Sequence, residues 1–345
     1  MNPTDHDPRL VALLAWLAAT EAARDLDPAS LRPASSDASF RRYFRIDARD
    51  PQQASLIIMD APPEHENTTM FEQVARLMHA GRVPVPAILA HDADRGFMLL
   101  TDFGSHTLLA ELRQHPDRAD NRYRQAASTL VGLQAGCDPS GLPPYDEARL
   151  LTELRLFDQW YLDTHLGRPP DARESARLQA CYRLLIDAAL AQPTVCVHRD
   201  YHSRNLMCID EQRLGVLDFQ DAVRGPITYD LVSLLRDAYV AWPEERTLDW
   251  AIRYWQQARA GGLPVETDFG AFYRQFELMG IQRGLKVLGI FARLRHRDGK
   301  DAYLADMPRV LGHLRPMLRR YGEFAPIEQM LAERLGEQAR VGYTF

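Results

Sequence analysis

The sequence predicts an α+β chain of two lobes, a small strand-rich one followed by a larger, mainly helical one. Three observations lead there. At 345 residues the chain exceeds what one hydrophobic core usually organises. Its first hundred residues alternate short apolar runs with turn signals. Beyond about residue 104, long patterns with apolar residues three and four apart take over. Apolar residues make up 46% and charged residues 26%, the proportions of an ordinary globular protein.

Taken in order, residues 8–24 predict a helix with Leu10, Leu13, Leu14 and Leu17 on one face. Residues 33–40 are small and polar and read as a turn leading into a strand over 41–46. Residues 55–59 predict a short buried strand. A helix follows over 67–80, with Phe71, Val74, Leu77 and Met78 aligned, and strands over 83–90 and 97–100 complete the first lobe. Helices are predicted over 105–114, 118–136, 147–165 and 171–191. An apolar run at 194–197 enters a polar loop, short strands at 206–209 and 214–217 form a hairpin, and helix resumes from about 228. The lobe boundary is placed near 101–105, with residues 1–103 forming the first lobe and 104–345 the second.

Charge and composition exclude several classes. The net charge is −6 and no basic block stands out, so no nucleic-acid partner is expected. The apolar stretch 11–19 is too short to span a membrane and lacks a basic leader. A cytoplasmic monomer without a membrane partner is the expectation. Cys137, Cys181, Cys196 and Cys208 form no C-x-x-C pair and read as free buried thiols. The chain holds two lysines, Lys286 and Lys300.

Chemistry concentrates in one stretch. The apolar run delivers His198, Arg199 and Asp200 at its end, Asn205 follows five residues after Asp200, and Asp218 closes the last strand of the hairpin. Phosphoryl transfer to an alcohol needs a carboxylate to hold the hydroxyl and take its proton, and oxygen ligands to hold Mg²⁺ against the phosphates. Asp200, Asn205 and Asp218 supply that set. The structural alternative is a turn in which Asp and Asn bond only their own backbone.

The stretch resembles the catalytic and metal loops of the aminoglycoside phosphotransferase family, which has a protein-kinase-like bilobal fold. The segments 37–45, 58–63, 99–104 and 218–222 are similar to one branch, the anomeric sugar kinases of bacterial cell-wall recycling, which phosphorylate the C1 hydroxyl of N-acetylmuramate and N-acetylglucosamine. The resemblance implies ATP as donor, Mg²⁺ as cofactor, an amino sugar as acceptor and a sugar 1-phosphate as product. It further implies Asp200 as base, Asn205 and Asp218 as metal ligands, His198 as a prop for the loop and Asp230 as its anchor.

The chain departs from the family at the nucleotide. Related kinases hold the α- and β-phosphates with a third-strand lysine paired to a helix glutamate, whereas Met59 or a neighbour stands here and no lysine precedes Lys286. Arginine grips phosphate bidentately, so Arg41, Arg42 and Arg45 are the candidates, with Glu72 as the candidate acidic partner. Ser36 and Ser39 sit in a glycine-free version of the phosphate loop, and Thr101 and Asp102 lie at the lobe hinge near the adenine. A second Asp-Phe-Gly begins at Asp268, read as a surface or cap residue. On the acceptor side the candidates are Glu153 and Trp160, seven apart on one helix, with Tyr201, His202, Gln282 and Arg283. Two other functions remain open: a kinase of aminoglycosides or other small alcohols, and a nucleotide-binding pseudokinase that serves as a scaffold.

Overall fold

The computed structural model describes residues 7–36, 40–49 and 55–336. The chain forms two compact units. The first comprises residues up to Thr107 together with Leu206–Asp221, and the second comprises Leu108–Asn205 and the chain from Ala222 onward. The hairpin expected within the second lobe thus packs with the first unit.

In the first unit, α1 (Pro8–Ala19) starts where the Asp7 carboxylate accepts the N–H groups of Arg9 and Leu10, satisfying donors that a helix start leaves open. The helix predicted to run to residue 24 ends five residues earlier, and a single 3₁₀ turn, Glu21–Ala23, follows. Next comes a strand the sequence did not announce, β1 (Leu26–Ser36). It contains Pro28 and Pro33, which read as turn signals, yet it lies at the edge of the sheet, where a missing N–H is tolerated. Two register shifts against β2 accommodate the prolines.

The strands β2 (Arg42–Ala48), β3 (Leu56–Asp60), β4 (Ile88–Asp92) and β5 (Phe97–Thr101) complete a five-stranded sheet of order β1-β2-β3-β5-β4. All its pairings are antiparallel. The strand predicted over 83–90 begins only at Ile88. Leu13, Trp16 and Leu17 of α1 pack with Ile46, Ile58, Phe97 and Leu99 of the sheet. The helix α2 (Thr68–Ala80) is capped by Asn67 and buries Phe71, Val74 and Met78.

The second unit begins with α3 (Leu108–Gln114), α4 (Ala119–Gly136), α5 (Glu147–Leu156) and α6 (Ala172–Leu190). The helix predicted over 147–165 changes hand-hold midway, since Phe157–His165 is a π-helical stretch. The strand β6 (Thr194–Val197) pairs with β9 (Val223–Pro226). Between them in sequence, β7 (Leu206–Cys208) and β8 (Leu214–Val216) form the hairpin of the first unit. The helices α7 (Tyr229–Leu235), α8 (Glu244–Ala260), α9 (Phe269–His296), α10 (Met307–Arg320) and α11 (Ala325–Leu335) follow. The 28-residue α9 is the spine of the unit and packs against α5, α6, α7, α10 and the π-helical stretch. Asp268 caps it by accepting the Ala271 N–H, which agrees with the cap expected there.

The four cysteines are free, three of them buried. Among the described residues no helix is long and apolar enough to cross a membrane.

Candidate active site

The loop after β6 is built around one buried carboxylate. Asp230, in the first turn of α7, is fully buried and accepts the backbone N–H of His198 at 2.7 Å and of Arg199 at 2.9 Å. Burial pushes its carboxyl up to about 6, against the favourable pull of His198 and the two N–H groups. His198 is itself buried, and its Nδ1 accepts the Asp200 N–H at 3.2 Å. The Asp200 carbonyl then accepts the Asn205 Nδ2 at 3.0 Å and the His202 N–H at 3.0 Å. The Ser203 N–H donates to Asp237 at 2.9 Å. Nearly every bend of the loop is therefore tied to a fixed acceptor, and the half-buried Asp200 side chain projects from a rigid frame. The turn-only alternative for this motif accounts for the Asn205 bond but not for the buried anchors beneath it.

The frame holds a conformational strain. Arg199 has φ +78°, a region a bulky residue enters at a cost of about 1–2 kcal/mol. The Asp230 bonds on either side and the Arg199 side chain offset that cost. Arg199 Nη2 meets Glu153 Oε1 at 2.6 Å, and Lys286 Nζ meets the same oxygen at 3.0 Å. Tyr145 donates its hydroxyl to Glu153 Oε2, and Lys286 also reaches the Tyr229 hydroxyl at 2.8 Å. Burial works to raise the Glu153 carboxyl, but Lys286, Arg199 and Tyr145 overcome it and hold it below its ordinary value.

Glu153, expected on the substrate, is thus committed to the protein. Asp200 shows the same contest: burial would raise its carboxyl, and the charges of Lys286, His202, Arg283 and Arg199 hold it low instead. Asp200 is thereby kept ionised, the state in which a base can accept a proton, while the same cations weaken its basicity.

The remaining acceptor-side candidates separate. Tyr201 is fully buried and donates its hydroxyl to the Ala126 carbonyl at 2.8 Å, so it supports the loop from behind. His202 is half-buried, with its ring edge-on to Tyr239 at 5.3 Å between centroids. Gln282 is fully buried, its Nε2 lying 3.5 Å from both the Tyr145 hydroxyl and Glu153 Oε2. Arg283, beside it on α9, is also buried. Trp160 is half-buried in the π-helical stretch. A seven-residue spacing aligns side chains only along an unbroken α-helix, and the wider π turn removes the shared face expected for Glu153 and Trp160.

In the first unit, Asp218 has φ +62°. Its Oδ1 accepts Gln220 Nε2 at 2.9 Å and lies 3.4 Å from Arg41 Nη2. Arg41 Nε also lies 3.7 Å from Glu66, and its side chain is 8% exposed. Glu72, the acidic partner expected from sequence, pairs with Arg76 and His91 instead.

The other two arginines are tied down elsewhere. Arg42 bridges the fully buried Asp60, shared with Arg9, and Asp7. Arg45 holds Asp102 through two bonds, at 2.5 and 2.9 Å, and also meets the Gly104 carbonyl. Burial raises the Asp102 carboxyl less than Arg45, Ser55 and the Gly104 N–H lower it, so this residue fixes a corner of the chain. Thr101 ends β5 and accepts the Ala87 N–H on its hydroxyl. Met59 is buried on β3 between Tyr43 and Met98. Ser36 ends β1 and pairs with Arg42, while Ser39 lies outside the described residues.

Sequence reasoning missed Lys286, Tyr145 and Tyr229 as parts of the site and read Arg199 only as a motif letter. A signal was present for the lysine: Gln282, Arg283 and Lys286 are successive polar residues within an otherwise apolar stretch of helix, a pattern that marks buried polar groups needing partners.

A five-stranded sheet with one internal helix, a helical unit and an anchored His-Asp-Asn loop define a phosphotransferase of the protein-kinase-like class. The chain belongs to the phosphotransferase enzyme family, whose profile matches residues 30–269. It is similar to the N-acetylmuramate/N-acetylglucosamine kinase of Pseudomonas aeruginosa, with 48% identity over 308 residues that cover 89% of each chain. The protein of that name from Neisseria meningitidis is 45% identical over 340 residues, covering 98% of this chain and 99% of the relative. In fold it resembles an ethanolamine kinase of Plasmodium vivax, with a TM-score of 0.63 at 11% identity, covering 88% of this chain and 86% of that one.

Proposed function

We propose that this chain transfers the γ-phosphoryl group of ATP to the C1 hydroxyl of N-acetylmuramate and N-acetylglucosamine, as a step in peptidoglycan recycling. The observation that carries the reading is Asp200, held ionised on a loop anchored by Asp230. In this reading its carboxylate accepts the proton of the sugar C1 hydroxyl as that oxygen bonds to the γ-phosphorus. The bond from phosphorus to the β–γ bridging oxygen breaks, and ADP leaves with its electron pair.

Asn205 and Asp218 would hold Mg²⁺. The donor set fits: Asn205 brings an amide oxygen and Asp218 a carboxylate, both hard oxygen donors of the kind Mg²⁺ takes. When bound, the metal draws charge from the phosphate oxygens. Arg41 takes the place of the absent lysine, since it sits between an acidic partner, Glu66, and the metal carboxylate, Asp218.

The positive surroundings of Asp200 disfavour the aminoglycoside alternative, because Lys286, Arg283 and Arg199 repel a polycation. Incubation with ATP, Mg²⁺ and either sugar, followed by ³¹P and ¹H NMR, tests the reading. An anomeric phosphate should form, and Asp200→Ala should lower kcat by about 10³-fold or more while nucleotide binding persists. Phosphate appearing on another hydroxyl would refute the C1 assignment. ATP binding without turnover of any sugar would favour a pseudokinase.

A further inference from the structure

Buried cations in the second unit follow a rule. Arg122 faces Glu111, Arg236 faces Glu244, Arg315 faces Glu328 and Lys286 faces Glu153. Arg283 is buried to the same degree, with 6% of its surface exposed, yet among the described residues no carboxylate lies within ion-pair distance of it and no hydrogen-bond acceptor meets it. An isolated buried charge is strongly unfavourable, so a cation retained without a partner points to a ligand that supplies one.

The surroundings specify that ligand. Arg283 follows Gln282 on α9 and precedes Lys286 by less than one turn, which places it beside the Glu153 cluster on which the Asp200 loop rests. Its charge is felt both at Asp200 and at Tyr239, the ring against which His202 packs. Arg204, paired with Asp306 at 3.9 Å, covers the Tyr239 ring at 3.6 Å from its centroid. Nearby, Gln282 Oε1 and Arg199 Nε are buried without partners. Glu153 cannot neutralise Arg283, because Arg199, Lys286 and Tyr145 already occupy its oxygens. Lys286, Arg283 and Arg199 together give this side of Asp200 a positive potential, so an acceptor molecule carrying a negative charge fits and one carrying positive charges does not.

We propose that Arg283 is the receptor for the lactyl carboxylate of N-acetylmuramate and sets the preference for that sugar over N-acetylglucosamine. This rests on the acceptor assignment above. The two sugars differ by a lactyl ether whose carboxylate matches the planar, two-pronged guanidinium. A buried arginine left unpaired when the neutral sugar binds would itself discriminate against that sugar.

The methyl ester of N-acetylmuramate keeps the bulk of the lactyl group and removes its charge. Titration calorimetry and steady-state kinetics would compare acid, ester and N-acetylglucosamine on the wild type, Arg283→Gln and Arg283→Lys, with thermal melts to verify folding. The wild type should favour the acid over the ester by about 10- to 100-fold, the range of one charge-assisted pair. Arg283→Gln should reduce that ratio to about threefold or less, and Arg283→Lys should retain part of it. A wild type that binds acid and ester equally overturns the proposal even if no variant folds, as does an unchanged ratio in Arg283→Gln. Calorimetry reads the ratio without turnover. A preference for the acid with no phosphorylated product would therefore sink the kinase assignment and spare the subsite.

Discussion

Two buried or half-buried carboxylates of the site, Asp200 and Asp230, are shifted in opposite directions. Asp200 is held low by surrounding cations, whereas burial pushes Asp230 up to about 6. Asp230 is faced by His198 and Asp200 from the loop, and its charge is felt at Cys196 of β6, Tyr201 and Tyr254 of α8. As pH falls through about 6, Asp230 should take up a proton and weaken its grip on the His198 and Arg199 N–H groups while Asp200 stays ionised. Its folded pKa lies above the ordinary 3.8, so the folded state binds more protons between those values. The stabilisation this gives is present at the acid end of that window and fades as pH rises towards 6, opposite in sense to the activity. A pH–rate profile should show an acid limb near 6 in the wild type. Asp230→Asn should lose that limb at a lower plateau; a limb unmoved by the substitution would assign it to another group. On the nucleotide side, Arg41→Ala should lower kcat/KM for ATP by about 10- to 100-fold and Arg41→Lys should restore part of it, because the lysine keeps the charge but loses the fork. Unchanged ATP kinetics would remove Arg41 from that role.

At the scale of elements, the site depends on where α5 stops. Leu156 ends that helix, and α9 crosses it at Gly289, where an added Cβ would stand 2.4 Å from the Leu156 carbonyl carbon and 2.5 Å from its oxygen. Backbone cannot move aside as a side-chain tip can, so Gly289→Ala should destabilise the protein by at least about 2 kcal/mol, read as a lowered melting temperature or denaturation midpoint. A neutral result would mean that the two helices do not approach so closely. The same crossing brings Lys286 to Glu153, so a shift there should also reduce turnover. The sequence announced α5 as part of a longer helix over 147–165, and α9 only as part of a helical region beginning near 228. It did not announce the π-helical stretch, because the widened turn is set by packing against α9 and carries no residue signature of its own.

For the whole molecule, the proposed metal acts in chemistry and not in folding. Among the described residues no group of three or more His, Cys, Asp or Glu side chains is gathered as a metal centre, and the cores of both units are apolar. Chelation with EDTA should therefore stop turnover while shifting the melting temperature of the nucleotide-free protein by no more than about 2 °C. A collapse of the melt would reveal a structural ion.

What the sequence determined by itself was the class of fold, the helices up to α6, β6, the hairpin and the members of the His198–Asp218 motif. These are set by local periodicity, by Asx caps such as Asn67, and by a motif whose members lie within about twenty residues of one another. What only the tertiary structure decided was which charged side chains are spent on the protein. Glu153, Tyr201, Arg42 and Arg45 look, in sequence, like groups that could meet a ligand. Their partners are Lys286, the Ala126 carbonyl, Asp60 and Asp102, which stand 133, 75, 18 and 57 positions away. No local pattern encodes such pairings, because the energy of a buried ion pair is decided by distance in space and by the loss of water around both charges. The edge strand β1 escaped notice for a related reason: its prolines forbid a central strand, and only the assembled sheet shows that its place is at the edge.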